Sequence, residues 1–120
     1  LDPGWMLPAV GQGAIGLECR ADDAQTKGLV ARIRDDETFA RVQAERAMLL
    51  ALGGGCLVPI GTTSSVLDGV LTVRGAVLSA DGVRRVVATH AGLAAAPLAV
   101  GQELAAMLLA EGAGEVLNLG

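Results

Sequence analysis

Two Asp-Gly pairs, Asp68-Gly69 and Asp81-Gly82, punctuate runs rich in Val and Thr. Asp-Gly between such runs is the strongest short-range hairpin signal, because its residues tolerate the positive φ of a tight turn. Reading outward from the two turns predicts three antiparallel strands, near residues 60–67, 70–79 and 83–91. A sheet this small needs helices on one face to make a core.

The flanking sequence supplies them. Asp35 or Asp36 can cap a helix, Glu37 favours its positive end, and Phe39, Val42, Leu49 and Leu50 recur at helical spacing. Glu37 and Arg41 stand four apart in the favourable order. Gly53 to Gly55 end that helix. Pro97 starts another, with Val100, Leu104, Met107 and Leu108 expected to face inward and Gly112 as its stop. Residues 36–120 thus read as one α+β domain, a three-stranded antiparallel sheet with helices on one face in the order αβββα. Residues 1–35 read as an arm. Within it, "LPAVGQGAIGLECR" (7–20) alternates, with Ile15, Leu17 and Cys19 opposite Gly16, Glu18 and Arg20. Period two predicts a strand with Cys19 buried. Residues 22–34 predict a short helix, with Leu29, Val30 and Ile33 on one side.

Composition narrows the function. A chain of 120 residues buries roughly 65% of its unfolded surface, enough for a core without staples. That core is aliphatic, since Trp5 and Phe39 are the only aromatic residues. A net charge of −4 with no basic footprint argues against nucleic acid. No apolar run is long enough to span a membrane. Cys19, Cys56 and His90 are too few for a structural zinc site, so no metal is expected. The opening "LDPGWML" lacks a basic leader and an initiating Met, which predicts a chain begun inside a longer reading frame, in the cytoplasm, with both thiols free.

Gly11, Gly13 and Gly16 form a G-x-G-x-x-G, but the dinucleotide fingerprint needs a strand before the glycines and a helix after them. Here Pro8 precedes and a strand pattern follows, so the glycines read as a tight turn that lets backbone approach another surface. Glu45-Arg46 reads as a solvated helix face, or else as an ion pair or a contact to an anionic ligand. His90 reads as an edge histidine with no acidic partner. Cys56 follows a helix C-terminus, where the dipole opposes thiolate formation, and has no Lys, Arg or His within six residues. It is either a structural cysteine or a thiol on a tether of glycines, not a turnover nucleophile.

"LPAVGQGAIGLECR", "AERAMLLALGGGCLVPIG" and "EGAGEVL" together resemble the C-terminal third of the porphobilinogen deaminase family, also called hydroxymethylbilane synthase, in order and spacing across the whole chain. The resemblance implies a transferase that adds porphobilinogen units, with loss of ammonia, to a dipyrromethane cofactor held by a thioether. Cys56 matches the anchor. Gln12, Gly13 and Ala14 match residues that line the cleft, and Arg20 one that pairs with acidic groups of cofactor or substrate. Residues 36–120 match the family's third domain, while the arm belongs to its first. The family's catalytic aspartate and most of its carboxylate-binding arginines lie in two N-terminal domains outside this sequence. No catalytic residue is therefore expected in this chain, which alone should be inactive and needs those domains as partner. Without them the 7–20 strand should fray or pair across a dimer. The alternative class is a non-catalytic αβββα interaction module in which Cys56 is merely buried.

Overall fold

A computed structural model describes residues 2–54 and 58–117. The elements run α1 (Ala24–Ile33), α2 (Asp36–Ala51), β1 (Ile60–Leu67), β2 (Val70–Leu78), β3 (Arg85–Leu93), α3 (Pro97–Ala110) and α4 (Ala113–Val116). The strands form one antiparallel sheet in the order β1-β2-β3. Helices α2 and α3 cover one face of it, as the α+β reading requires.

The first hairpin turns where expected. Asp68 (φ 50) and Gly69 (φ 75) both take the left-handed conformation that a tight two-residue turn needs. The second turn is longer. Asp81 accepts from the Val83 amide, and the Ser79 hydroxyl oxygen accepts from the Arg84 amide, so β3 begins at Arg85 rather than 83. The covered face is built in cross-strand rows. Ile60, Val77 and Val86 form one, and Ser64, Val73 and His90 another.

The core is aliphatic, with Met48, Leu52, Leu71, Val73, Val77, Leu104 and Leu108 at its centre. The inward face of α2 is not the one its large residues suggest. Phe39 is 45% exposed and Leu50 80%, whereas Ala40, Ala44, Ala47 and Met48 are buried. The cause lies on α3. A Cβ added at Gly101 would stand 2.1 Å from the Ala44 carbonyl oxygen and 2.8 Å from the Ala47 Cβ. The two helices meet backbone to backbone, so only the small residues of α2 fit between them. On α3, Val100, Leu104 and Leu108 are buried as expected, but Met107 is 41% exposed. Gly112 (φ 94) stops α3 and opens α4, unforeseen from sequence, which adds Ala113 and Val116 to the core.

The arm departs most from expectation. Residues 14–20 are exposed and form no strand. Strand alternation needs a neighbour to bond to, and among the described residues the arm finds one only at a point. The Thr62 amide on edge strand β1 donates to the Pro8 carbonyl at 2.8 Å, while Leu7 lies against Gly61. Helix α1 forms, capped by Asp23, but buries no residue. Leu29 and Ile33 remain open.

Two outcomes follow from these contacts. Gly101→Ala should cost about 1–3 kcal/mol in urea unfolding, because its methyl meets backbone that cannot yield. Gly75→Ala meets the Met48 thioether at 2.6 Å, whose flexible end can move, so it should cost less. The reverse order would mean that the helix crossing is loose. The helix caps respond to acid. Hydrogen bonds from the Thr26 hydroxyl and amide hold the Asp23 carboxyl below its usual range, and the Thr38 amide does the same for Asp35. A depressed folded pKa contributes stability that is present above the unfolded value of about 3.9 and is lost as pH falls through the folded one. The Thr38 amide should therefore keep its protection from hydrogen exchange at pH 5 and lose it in strong acid before the core strands do.

Candidate functional site

Helix α2 organises everything near the predicted site. At its N-terminal end the Asp35 side chain caps the Thr38 amide at 2.7 Å. Two turns on, Glu45 is 7% exposed, a burial that obliges its carboxylate to find donors. It finds two. The Ser64 hydroxyl of β1 donates to Oε1, and the Gly11 amide of the arm donates to Oε2 at 2.8 Å. Arg41, one turn back on α2, donates its Nε to Ser64 Oγ at 3.1 Å. It makes no Glu37 ion pair among the described residues. Glu45 is thus not on a solvated face, while its neighbour Arg46 is exposed.

The bond to Gly11 holds a compact double turn. The Gln12 amide donates to the Ala9 carbonyl and the Ala14 amide to that of Gly11. The Gln12 side chain accepts from the Ala9 amide at 2.9 Å. Gly11 (φ 67) and Gly13 (φ 82) supply the left-handed steps, so the glycines serve the turn and no helix opens on them. Beneath the turn lies a pocket of about 260 Å³ lined by Gly11 to Ala14 and by Thr38, Arg41, Val42 and Glu45. Three predicted site residues, Gln12, Gly13 and Ala14, therefore meet at one place. Arg20 does not join them. It sits exposed at the turn into α1.

At its other end α2 stops in two paired bonds. The Gly53 amide donates to the Leu50 carbonyl and the Gly54 amide to that of Leu49, with Gly53 at φ 68. This is the arrangement a glycine C-cap predicts. Downstream the chain is fixed again where the Leu78 amide donates to the Pro59 carbonyl. Cys56 lies between these points, outside the described residues. Its position on the chain is two residues from Gly54 and two from Val58.

Two other expectations are corrected. Cys19 is exposed, because the strand that would have buried it does not form. His90 has an acidic partner after all. Its Nε2 lies 2.6 Å from Glu103 Oε2 of α3, a contact made across the helix–sheet interface and invisible at close sequence range. Sequence reasoning also missed Arg41, Ser64 and the role of Glu45. The available signal was the alanine stripe Ala40, Ala44 and Ala47, which places Glu45 beside the buried face rather than opposite it.

The fold and site define an αβββα unit whose first helix grips a glycine turn at its side and ends in the glycines Gly53 and Gly54. Comparison with known proteins gives this class a family. Residues 39–110 match the family model of the porphobilinogen deaminase C-terminal domain. Residues 1–28 match the model of the porphobilinogen deaminase dipyromethane cofactor binding domain. The chain is 44% identical to a porphobilinogen deaminase of Syntrophobacter fumaroxidans, over 98% of this chain and 38% of that one. It is 51% identical to that of Moorella thermoacetica, over 93% and 36%. For that of Synechococcus elongatus the identity is 46%, over 93% and 35%. The chain belongs to the porphobilinogen deaminase family, and it spans less than two fifths of the length of these relatives. The reading as a stand-alone interaction module is not favoured.

An exposed Cys19 carries its own test. It should react with a bulky maleimide at a rate within about tenfold of that in the urea-unfolded chain, as exposed thiols do. Stronger protection would mean that another surface covers residues 14–20.

Proposed function

We propose that this chain is the portion of a porphobilinogen deaminase that carries the cofactor's covalent anchor. In this reading Cys56 holds dipyrromethane through a thioether, and Gln12, Gly13 and Ala14 line the cleft beside it. The observation that supports it is the arrangement of α2, which fixes the glycine turn through Glu45 and ends in the glycines that lead to Cys56. A helix of 16 residues is about 24 Å long. From Glu45 to its end is about 10 Å, close enough for one tethered group to pass the turn.

The residues fit attachment of the cofactor but not retention of its charge. Among the described residues, Arg41 is the only cation lining the pocket, and Glu45 stands beside it. Dipyrromethane, when bound, supplies the pyrrole end to which porphobilinogen units are added. The chain's own residues place that group and leave the clamping of its carboxylates, along with the acid that handles departing ammonia, to the rest of the enzyme. Cys56 fits an anchor because it reacts once and needs no lowered pKa for turnover. In this reading Arg20, exposed on the arm, pairs with acidic groups once other domains enclose it.

The same reading accounts for the apolar surface of the arm. Ile15 is 90% exposed, Ile33 71%, and Leu17 and Leu29 are open with them. Apolar side chains left open along one segment in this way suit a surface that another body covers. Residues 1–28 carry the match to the cofactor binding domain, so the remainder of that domain is the proposed cover.

The isolated chain should not consume porphobilinogen. Supplying the N-terminal remainder of a relative as a separate polypeptide should restore consumption. Cys56→Ser should abolish the restored activity and Cys19→Ser should spare it. Robust turnover by this chain alone, or by the Cys56→Ser assembly, would overturn the proposal.

A further inference from the structure

The sheet has two edges, and the chain treats them differently. The arm occupies the β1 edge where the Thr62 amide donates to the Pro8 carbonyl. Nothing among the described residues does the same on β3. Antiparallel ladders bond at alternate residues. The Ala94 amide donates to the Gly69 carbonyl and the Ser79 amide to that of Arg84, so the even-numbered residues of β3 bond to β2. Val87, Thr89 and Ala91 therefore turn their amides and carbonyls toward the free edge, where they find no partner among the described residues. Sheet edges are commonly blunted by charge, proline, a bulge or a covering segment. From Val86 to Gly92, β3 has no proline and no Asp, Glu, Lys or Arg, and His90 is already in contact with Glu103. Its ladder to β2 runs in unbroken register from Leu93 to Arg85, without a bulge. The side chains of Val87, Thr89, Ala91 and Leu93 are exposed beside it.

We propose that the free edge of β3 is an interface for a second copy of this chain, the two strands pairing antiparallel about a two-fold axis at Thr89. A two-fold axis presents the same edge to itself, so each outward amide meets an outward carbonyl of the other copy. Thr89 is the middle of the strand Arg85–Leu93, and an axis there pairs its whole length. Val87 of each copy then lies opposite Ala91 of the other, and the two Thr89 side chains stand together, a pair that strands favour. Arg85 lies opposite Leu93, so the strand's one formal charge never meets its own copy. Any extended segment could offer backbone groups to this edge. The second copy is favoured because the edge complements itself from end to end without opposing like charges. The inference does not rest on the proposed function. The glycine turn is held from α2 and β1, at the other side of the sheet, and stays open in the pair.

The test uses the 120-residue chain under reducing conditions, so that thiol coupling cannot join two copies. Sedimentation over a range of concentrations should show a monomer–dimer equilibrium. The Val87, Thr89 and Ala91 amides should exchange about tenfold more slowly or better in the dimer, while core amides such as Val73 do not change. Thr89→Pro removes an amide that β2 does not use, so the fold should stand and the dimer be lost. Thr89→Lys and Thr89→Glu each set like charges face to face at the axis and should each weaken the dimer by about fivefold. An equal mixture of those two variants should recover it, because unlike charges then meet across the axis. Should the Pro variant not fold, the Lys and Glu pair makes the test alone. A chain that stays monomeric at every concentration overturns the proposal. So does a dimer indifferent to the Thr89 substitutions, which would put the contact elsewhere, on the exposed arm for instance. A mixture that fails to recover the dimer overturns it as well.

Discussion

The approach of α2 and α3 at Gly101 is the constraint from which the rest of the molecule follows. With no Cβ at that crossing, the Ala44 carbonyl comes within reach of α3's backbone, and the alanine stripe of α2 becomes its buried face. Turning that stripe inward has two consequences. It lifts Phe39 and Leu50 out toward solvent, where the Arg34 guanidinium stacks 4.7 Å from the Phe39 ring centre. It also draws Glu45, next to Ala44, into a buried place beside the arm. A buried carboxylate must be paired or hydrogen-bonded, and the donors at hand belong to β1 and to the arm. Packing thus dictates a polar network, and the network dictates where the glycine turn sits.

The described residues divide at Asp36, beyond which helices and strands share one core with Met48, Leu104 and Leu108 in it. Before Asp36, helix α1 is held by its own cap and by the Lys27 ammonium on the Ala21 carbonyl, with no apolar burial to stabilise it. A ten-residue helix without tertiary contact is marginal in water. Leu29 and Ile33 stay open along it.

What could be read from the sequence divides along the same line. The strands and their hairpins were legible because Asp-Gly turn chemistry is local. The ends of α2 and α3 were legible because Asp35, Gly53 and Gly112 act within one turn of themselves. The inward face of α2 was not, since helical spacing of large residues does not reveal a crossing at Gly101 that admits only small ones. The 14–20 strand was misjudged because alternation describes a strand's faces and not its neighbours. Cys19 was misplaced with it. Of the site, Gln12 to Ala14 were identified through resemblance, whereas Glu45 escaped. Its donors lie 34 and 19 residues away, and no window along the chain contains them. His90 and Glu103 were missed for the same reason.

The central claim is that Cys56, carried from the end of α2, is the covalent anchor. Its most direct test is the mass of this chain recovered from an active assembly with the N-terminal remainder, followed by peptide mapping. A dipyrrole adduct confined to the peptide that contains Cys56, with Cys19 unmodified, is the predicted result. An active assembly in which Cys56 carries nothing would contradict it.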